Sequence, residues 1–373
     1  MNRSFNWKQY LENYPDLVKV GINNENNAIK HWNKYGKNEY RTDKPLQQSI
    51  VVPVKQQVLP DIKQVVPKTQ SVVQLNNNNK VLKIFLSTNV RDEDNIIEWI
   101  DYHSRIGFHT ILVIDHLSKI PISEVIKNIT FNCNVIIKRL EVDNDVIPTI
   151  KNYILKNLVI PFMIENNCDM FIHLDGDEYF NLKNSFPDVN SFVNYVGNYN
   201  QIGIRWLMFG SNYIDNNPTN NSLIHNYLRS TSGNEKFWDF IKCLVDPKKI
   251  NLNSYNKNHV NPHFWELKTG YNSTYANKKL LYDIKINKAT MPGTLINDLV
   301  NINHYYYQSW DSYIRRKKLR VRDDRPGDNH PNFTKEQFHK LYNSTFNNTL
   351  SLYYKKINNN NNNNNNVKNS IVF

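Results

Sequence analysis

A chain of 373 residues suits one large domain with attachments, or two domains, and is longer than one small core requires. Hydrophobic residues make up 40% and aromatics 12%, which excludes a wholly disordered chain. Lys and Arg number 46 against 34 Asp and Glu, a formal charge of +12 that favours phosphate-bearing ligands, polyanions or acidic membrane surfaces.

Residues 1–45 carry aliphatic and aromatic side chains at helical spacing, broken at Pro15, Gly21 and Gly36, which predicts a small module of two or three short helices. Residues 46–80 alternate Val, Pro, Gln and Lys and end in four Asn, the composition of an extended linker. Residues 81–88, VLKIFLST, form a short apolar run that reads as a strand. The following DNIIEWIDYHSRIG sets Ile96, Trp99, Ile100 and His103 on one face of a helix. The runs 109–115, 134–140 and 169–175 repeat the strand character, separated by helical stretches at 122–129 and 147–165. Alternating strands and helices predict an α/β domain with a mainly parallel central sheet. Nine consecutive Asn at 358–366 form a low-complexity tail expected to lack stable structure.

Much of the positive charge lies in IRRKKLRVRDDR, residues 314–325, without the aromatic interleaving of a nucleic-acid groove, so no nucleic-acid partner is expected. Cys133, Cys168 and Cys243 are too few and too scattered for a disulfide framework or a four-cysteine zinc site, which favours a reducing, cytoplasmic compartment. An apolar leader and an 18-residue apolar run are both missing from the sequence. Neither a signal peptide nor a transmembrane segment is expected.

Ligands of open α/β sheets bind beyond the carboxyl ends of the strands, and HLDGDEYF places Asp175 and Asp177 at such an end. Carboxylates at i and i+2 after a buried strand can share one hard divalent ion, Mn²⁺ or Mg²⁺, which bridges the phosphates of a nucleotide. The tripeptide alone reads more readily as a turn than as a metal site. The apolar strand in front of it tips the reading towards a metal site.

Several motifs in one order make a resemblance specific. STNVRDEDNIIEWIDYHSRIGFHTILVIDHLS, through Glu93, Glu98, Trp99, His103, Gly107, Asp115 and Ser118, resembles the opening of family 2-like and family 92-like glycosyltransferases of the GT-A fold. HLDGDEYF matches their metal motif, IRWLMFGSN their Trp-x-x-Phe-Gly segment, and INHYYYQSWDSYIRRK their closing His-Tyr-x-x-x-Ser helix. Residues 81–325 carry this likeness and 326–373 form a C-terminal extension. Residues 14–17 and 31–39 resemble an accessory module that accompanies such enzymes. His116 and Ile120 depart from the family, which has Asn and Asp there.

The resemblance implies a metal-dependent enzyme that moves a sugar from a nucleoside-diphosphate sugar, UDP-hexose being the expected donor, to a hydroxyl of a glycan or protein acceptor. It further implies Thr88, Asn89, Arg91, Asp115 and Asp175 as donor contacts, and His304 beside Asp175 and Asp177 as the third metal ligand, with His263 its rival. Asp239, ahead of Glu235 and Glu266, is the implied base for the acceptor hydroxyl. Arg205 and Trp206 are expected to line the acceptor side. A catalytically inactive carbohydrate-binding protein of the same fold is the alternative, and an intact acidic pair favours the enzyme.

Overall fold

The computed structural model describes residues 5–14, 17–18, 22–33, 43, 81–142, 150–232, 240–256, 260–276, 278, 299–318 and 332–369. The chain divides into two compact units, residues 1–70 and 71–373. The linker expected at 46–80 lies outside the described residues.

In the first unit the helices Trp7–Asn13 and Glu25–His31 start on Asn6 and Asn24, whose side chains accept the backbone N–H groups of Gln9 and Asn27. Tyr10, Leu11, Leu17 and Ala28 form its core, and the Tyr10 hydroxyl meets His31 Nδ1 at 3.0 Å.

The second unit is built on a nine-stranded sheet. In chain order its strands are β1 (Ile84–Val90), β2 (Thr110–His116), β3 (Asn134–Leu140), β4 (Met170–His173), β5 (Glu178–Asn181), β6 (Gln201–Met208), β8 (Ile241–Val245), β9 (Ser273–Tyr275) and β10 (Asn301–His304). The two-residue β7 (Arg229–Ser230) pairs instead with β11 (Thr345–Phe346). The order across the sheet is β3-β2-β1-β4-β8-β6-β10-β5, with β9 beside β6. The four strands expected from the sequence are mutually parallel through β1 and β2. β8 then runs antiparallel between β4 and β6, and β5 antiparallel to β10. The predicted α/β class with a mainly parallel sheet is what forms.

β1 and β2 are buried almost throughout because both faces of the sheet are covered. Alternation sorts their side chains: Ile84, Leu86, Ile111 and Val113 enter one core with Trp99, Ile100 and Phe192, while Phe85, Leu112 and Ile114 enter the other with Ile154, Leu155 and Trp265. β3, at the edge, is only partly buried and carries Lys138 and Arg139. The helix expected at 147–165 runs from Ile150 to Glu165, with a π-helical stretch at Ile154–Val159.

The other edge strand, β5, has its outer side closed by side chains. Trp99 Nε1 donates to Glu178 O at 2.8 Å, Tyr102 Oη to Phe180 O at 2.6 Å, and Phe180 N–H donates to His103 Nε2 at 3.2 Å. A backbone N–H can only donate, so Nδ1 of His103 carries the ring proton and gives it to Trp99 O at 2.8 Å. Trp99 and His103 were signature residues in the sequence; in the fold they clamp the strand that follows the acidic motif.

The C-terminal part belongs to this core, since Leu350 and Tyr353 are buried within it. A Cβ on Gly210 would lie 2.4 Å from Leu341 O, so only glycine lets the segment around 341 close over the end of β6. Ser211 Oγ, His339 Nδ1 and Nε2, and Asp215 Oδ1 continue that closure in a chain of 2.8 Å contacts. The helix Thr349–Asn369 runs on through the Asn tract that the composition had suggested would be unstructured. Among the described residues no helix is long and apolar enough to cross a membrane.

Burial pushes the His103 pKa down to about 3, against the pull of its bond to Trp99 O. The unfolded chain takes up this proton first, near pH 6.5, so the neutral ring contributes stability that is complete above that pH and is lost as pH falls towards 3. His103→Gln is expected to be less stable at pH 7 and to lose less on acidification. Urea unfolding at pH 7 and pH 5 checks this: the wild type should show a pH slope up to about 1.4 kcal/mol per unit steeper than the variant.

Candidate functional site

Asp175 lies two residues past the end of β4, and the Asp175–Glu178 segment turns back on itself with Glu178 N–H donating to Asp175 O at 3.0 Å. The motif is therefore a turn, and a turn that aims carboxylates. Gly176 sits in a tight space: a Cβ there would meet Glu93 Cγ at 3.0 Å and Val90 Cγ1 at 3.1 Å, so those side chains would have to give way. Its φ lies outside the left-handed region, so any preference for glycine here comes from close packing and not from backbone conformation.

β5 and β10 pair with His304 opposite Glu178, and Tyr305 N–H donates to Asp177 O at 2.8 Å. This pairing brings Asp177 Oδ1 to 3.4 Å from His304 Nε2, both side chains less than a tenth exposed. His304 ends a strand, whereas the sequence had suggested the start of a helix; Ser309 caps the helix instead, accepting Ser312 N–H at 3.0 Å.

Asp175 is placed differently from Asp177. Its Oδ1 lies 2.7 Å from Lys151 Nζ and its Oδ2 3.1 Å from Lys242 Nζ. Lys242, on β8, is fully buried and also reaches Glu178 Oε2 at 3.1 Å, while that oxygen accepts Asp175 N–H at 2.9 Å. Burial opposes the charge on Asp175, but Lys151 and Lys242 override it and hold its pKa well below the ordinary carboxylate value. Burial likewise opposes the charge on Lys242, and Asp175 and Glu178 keep its pKa raised. Burial pushes the Glu178 pKa up against the pull of Lys242. Lys151 and Lys242 thus compensate Asp175 and Glu178 directly.

Trp206, half-buried on β6, stands over this group. Its ring centroid is 4.4 Å from that of His304 and 4.8 Å from that of His263, and Lys242 Nζ lies 5.7 Å from it. His263 donates from Nδ1 to Ile241 O at 2.7 Å. Arg205 is buried on the same strand, opposite Ile241.

The expected donor contacts scatter around the end of β1. Thr88 is buried and its Oγ1 meets no partner, while Asn89 Oδ1 lies 3.1 Å from His173 Nε2. Arg91 follows half-buried. Asp115 is turned into its own loop, accepting Ser118 N–H at 3.1 Å, Ile122 N–H at 3.0 Å and an Arg139 N–H at 2.8 Å. A cleft of about 510 Å³ opens beside these strand ends, lined by Glu93, Asp94, Ser118, Ile120 and Arg315 among others. Asp239 and Glu235 lie outside the described residues.

Sequence reasoning missed Lys151, Lys242 and Glu178. Lys242 did leave a signal, a single cation in the otherwise apolar run FIKCLV. Glu178 directly follows the acidic motif and was hidden by it.

Two donors 3.4 Å apart can share one ion, since adjacent ligands about 2.1 Å from an octahedral ion stand about 3 Å from each other. Among the described residues no three His, Cys, Asp or Glu side chains converge as a metal cage. Such a pair fits Mg²⁺ or Mn²⁺, which take one or two protein ligands and complete their shell with phosphate and water.

The chain matches no protein-family model and no curated protein. Among solved structures it is similar to S. aureus TarS 1-349 in complex with UDP, at 15% identity over 35% of this chain and 36% of that one, TM-score 0.23. It is similar to the same TarS 1-349 at 14% identity over 48% and 51%, TM-score 0.27. A CMP:2-keto-3-deoxy-manno-octonic acid synthetase complexed with CTP gives 12% identity over 47% and 78%, TM-score 0.24. The chain thus spans about a third to a half of the TarS chains. Likenesses this distant carry no weight for function, and the α/β assignment rests on the sheet itself.

Removing one partner of a buried ion pair strands the rest, so Lys242→Met is expected to cost about 3–5 kcal/mol. Adding Glu178→Gln to it should cost less than the sum of the two single changes, because the stranded charge is then removed. Urea unfolding of the two single variants and the double variant tests this, and simple additivity would exclude the coupling.

Proposed function

We propose that the protein is a metal-dependent glycosyltransferase that moves a sugar from a nucleoside-diphosphate sugar, UDP-hexose first among them, to a hydroxyl of a glycan or protein. The observation that carries this reading is the Asp177–His304 pair at 3.4 Å, set where β4 and β10 end and flanked by lysines. The order of motifs shared with GT-A glycosyltransferases supports it.

In this reading Asp177 and His304 hold Mn²⁺ or Mg²⁺, which would supply neutralisation of the departing nucleoside diphosphate. Asp175, held by Lys151 and Lys242, orients the turn and is available to the donor through its one-third exposed side chain. Lys151, equally exposed, faces the same approach and adds positive charge for phosphate. Thr88, Asn89 and Arg91 at the end of β1 are the proposed contacts to base and ribose. Asp115 supports them by fixing the neighbouring loop. Trp206 offers an aromatic face to a sugar ring, with Arg205 behind it. Asp239, just before β8, is the proposed base for the acceptor hydroxyl.

Asp177→Asn is expected to leave the fold intact and to abolish Mn²⁺-dependent UDP binding. Donor hydrolysis should fall by at least the roughly 10- to 100-fold that a mere supporting residue costs. Calorimetric UDP titration with Mn²⁺ and with chelator, on wild type and variant, checks this. Equal UDP binding by the wild type in chelator would remove the metal from the reading.

A further inference from the structure

Glu178 Oε1 and His304 Nδ1 are both buried and meet no hydrogen-bond partner. They point at each other across 3.9 Å. β5 and β10 place the two residues directly opposite one another, where side chains share a face of the sheet. The other Glu178 oxygen is committed to Lys242 at 3.1 Å and to Asp175 N–H at 2.9 Å, so the carboxylate cannot turn away. On the far side of the imidazole, Nε2 faces Asp177.

Buried donors and acceptors left unpaired are costly and uncommon, and a facing pair just beyond bonding distance is poised to close. An imidazole that gives Nε2 to a cation must carry its proton on Nδ1, and metal-bound histidines nearly always donate that proton to a carboxylate or carbonyl. We propose that Glu178 is the positioning residue for His304: it accepts the Nδ1–H bond, fixes the tautomer and aims Nε2 at the cation that Asp177 shares, while Lys242 holds Glu178 in place. This rests on the metal reading above and extends it to a residue that never touches the ion. Glu178 is a poor candidate for a ligand itself, because its free oxygen faces the wrong nitrogen of His304.

The test is Mn²⁺ affinity at saturating UDP, read from the free-Mn²⁺ electron paramagnetic resonance signal, for wild type, Asp177→Ala, His304→Ala and Glu178→Gln, each with a thermal melt. Glu178→Gln is expected to stay folded and bind Mn²⁺ about 10- to 100-fold more weakly, with the two ligand variants losing it altogether. Wild-type affinity in folded Glu178→Gln would overturn the inference and leave the metal pair standing. Wild type indistinguishable from Asp177→Ala would overturn both. Should Glu178→Gln fail to fold, ring ¹⁵N shifts of wild-type His304 with Mg²⁺ and UDP decide: an Nδ1–H tautomer is expected, and an Nε2–H tautomer overturns the proposal.

Discussion

An ammonium group removed from water must be met by carboxylates, and Lys242 is met by two that belong to different segments: Asp175 at the end of β4 and Glu178 at the start of β5. Through them one side chain on β8 fixes the start and finish of the acidic turn. Buried ion pairs are weak sources of net stability, because desolvation offsets most of the attraction. Their value here is positional. Asp175 is held by lysines on both oxygens, and the next carboxylate, Asp177, faces His304.

That division explains why the two acids of one short motif do different work. Asp175 is one-third exposed and Asp177 less than a tenth, although a single glycine separates them. The difference comes from the turn, which sends Asp175 towards β8 and Asp177 towards β10. Glu93 and Val90 leave little room beside Gly176 for a larger residue.

The first half of the sheet was legible in the sequence because β1, β2 and β4 are inner strands, buried on both faces and each carrying a run of three or more apolar residues. The second half was not. β5 and β10 carry Asn181, Asn301 and Asn303, bonded across the pair from Asn181 to Asn303 and along β10 from Asn301 to Asn303, which interrupts the apolar signature of a strand. One local expectation was reassigned by geometry that no spacing reveals: His304 ends a strand. The acidic motif itself was legible; the lysines that compensate it come from positions 24 residues before and 67 after Asp175, a distance that pattern reading does not bridge.

The indole, phenol and imidazole that close the outer side of β5 have a consequence for the company this protein keeps. An edge strand with open backbone groups invites a strand from another chain, and such pairing would drag the first residue of β5, Glu178, out of line with His304. Trp99, Tyr102 and His103 already occupy those groups, from a helix whose other buried residues anchor it in the core. A crowded cell can therefore press unfolded segments against this edge without finding a free rung on which to begin a ladder.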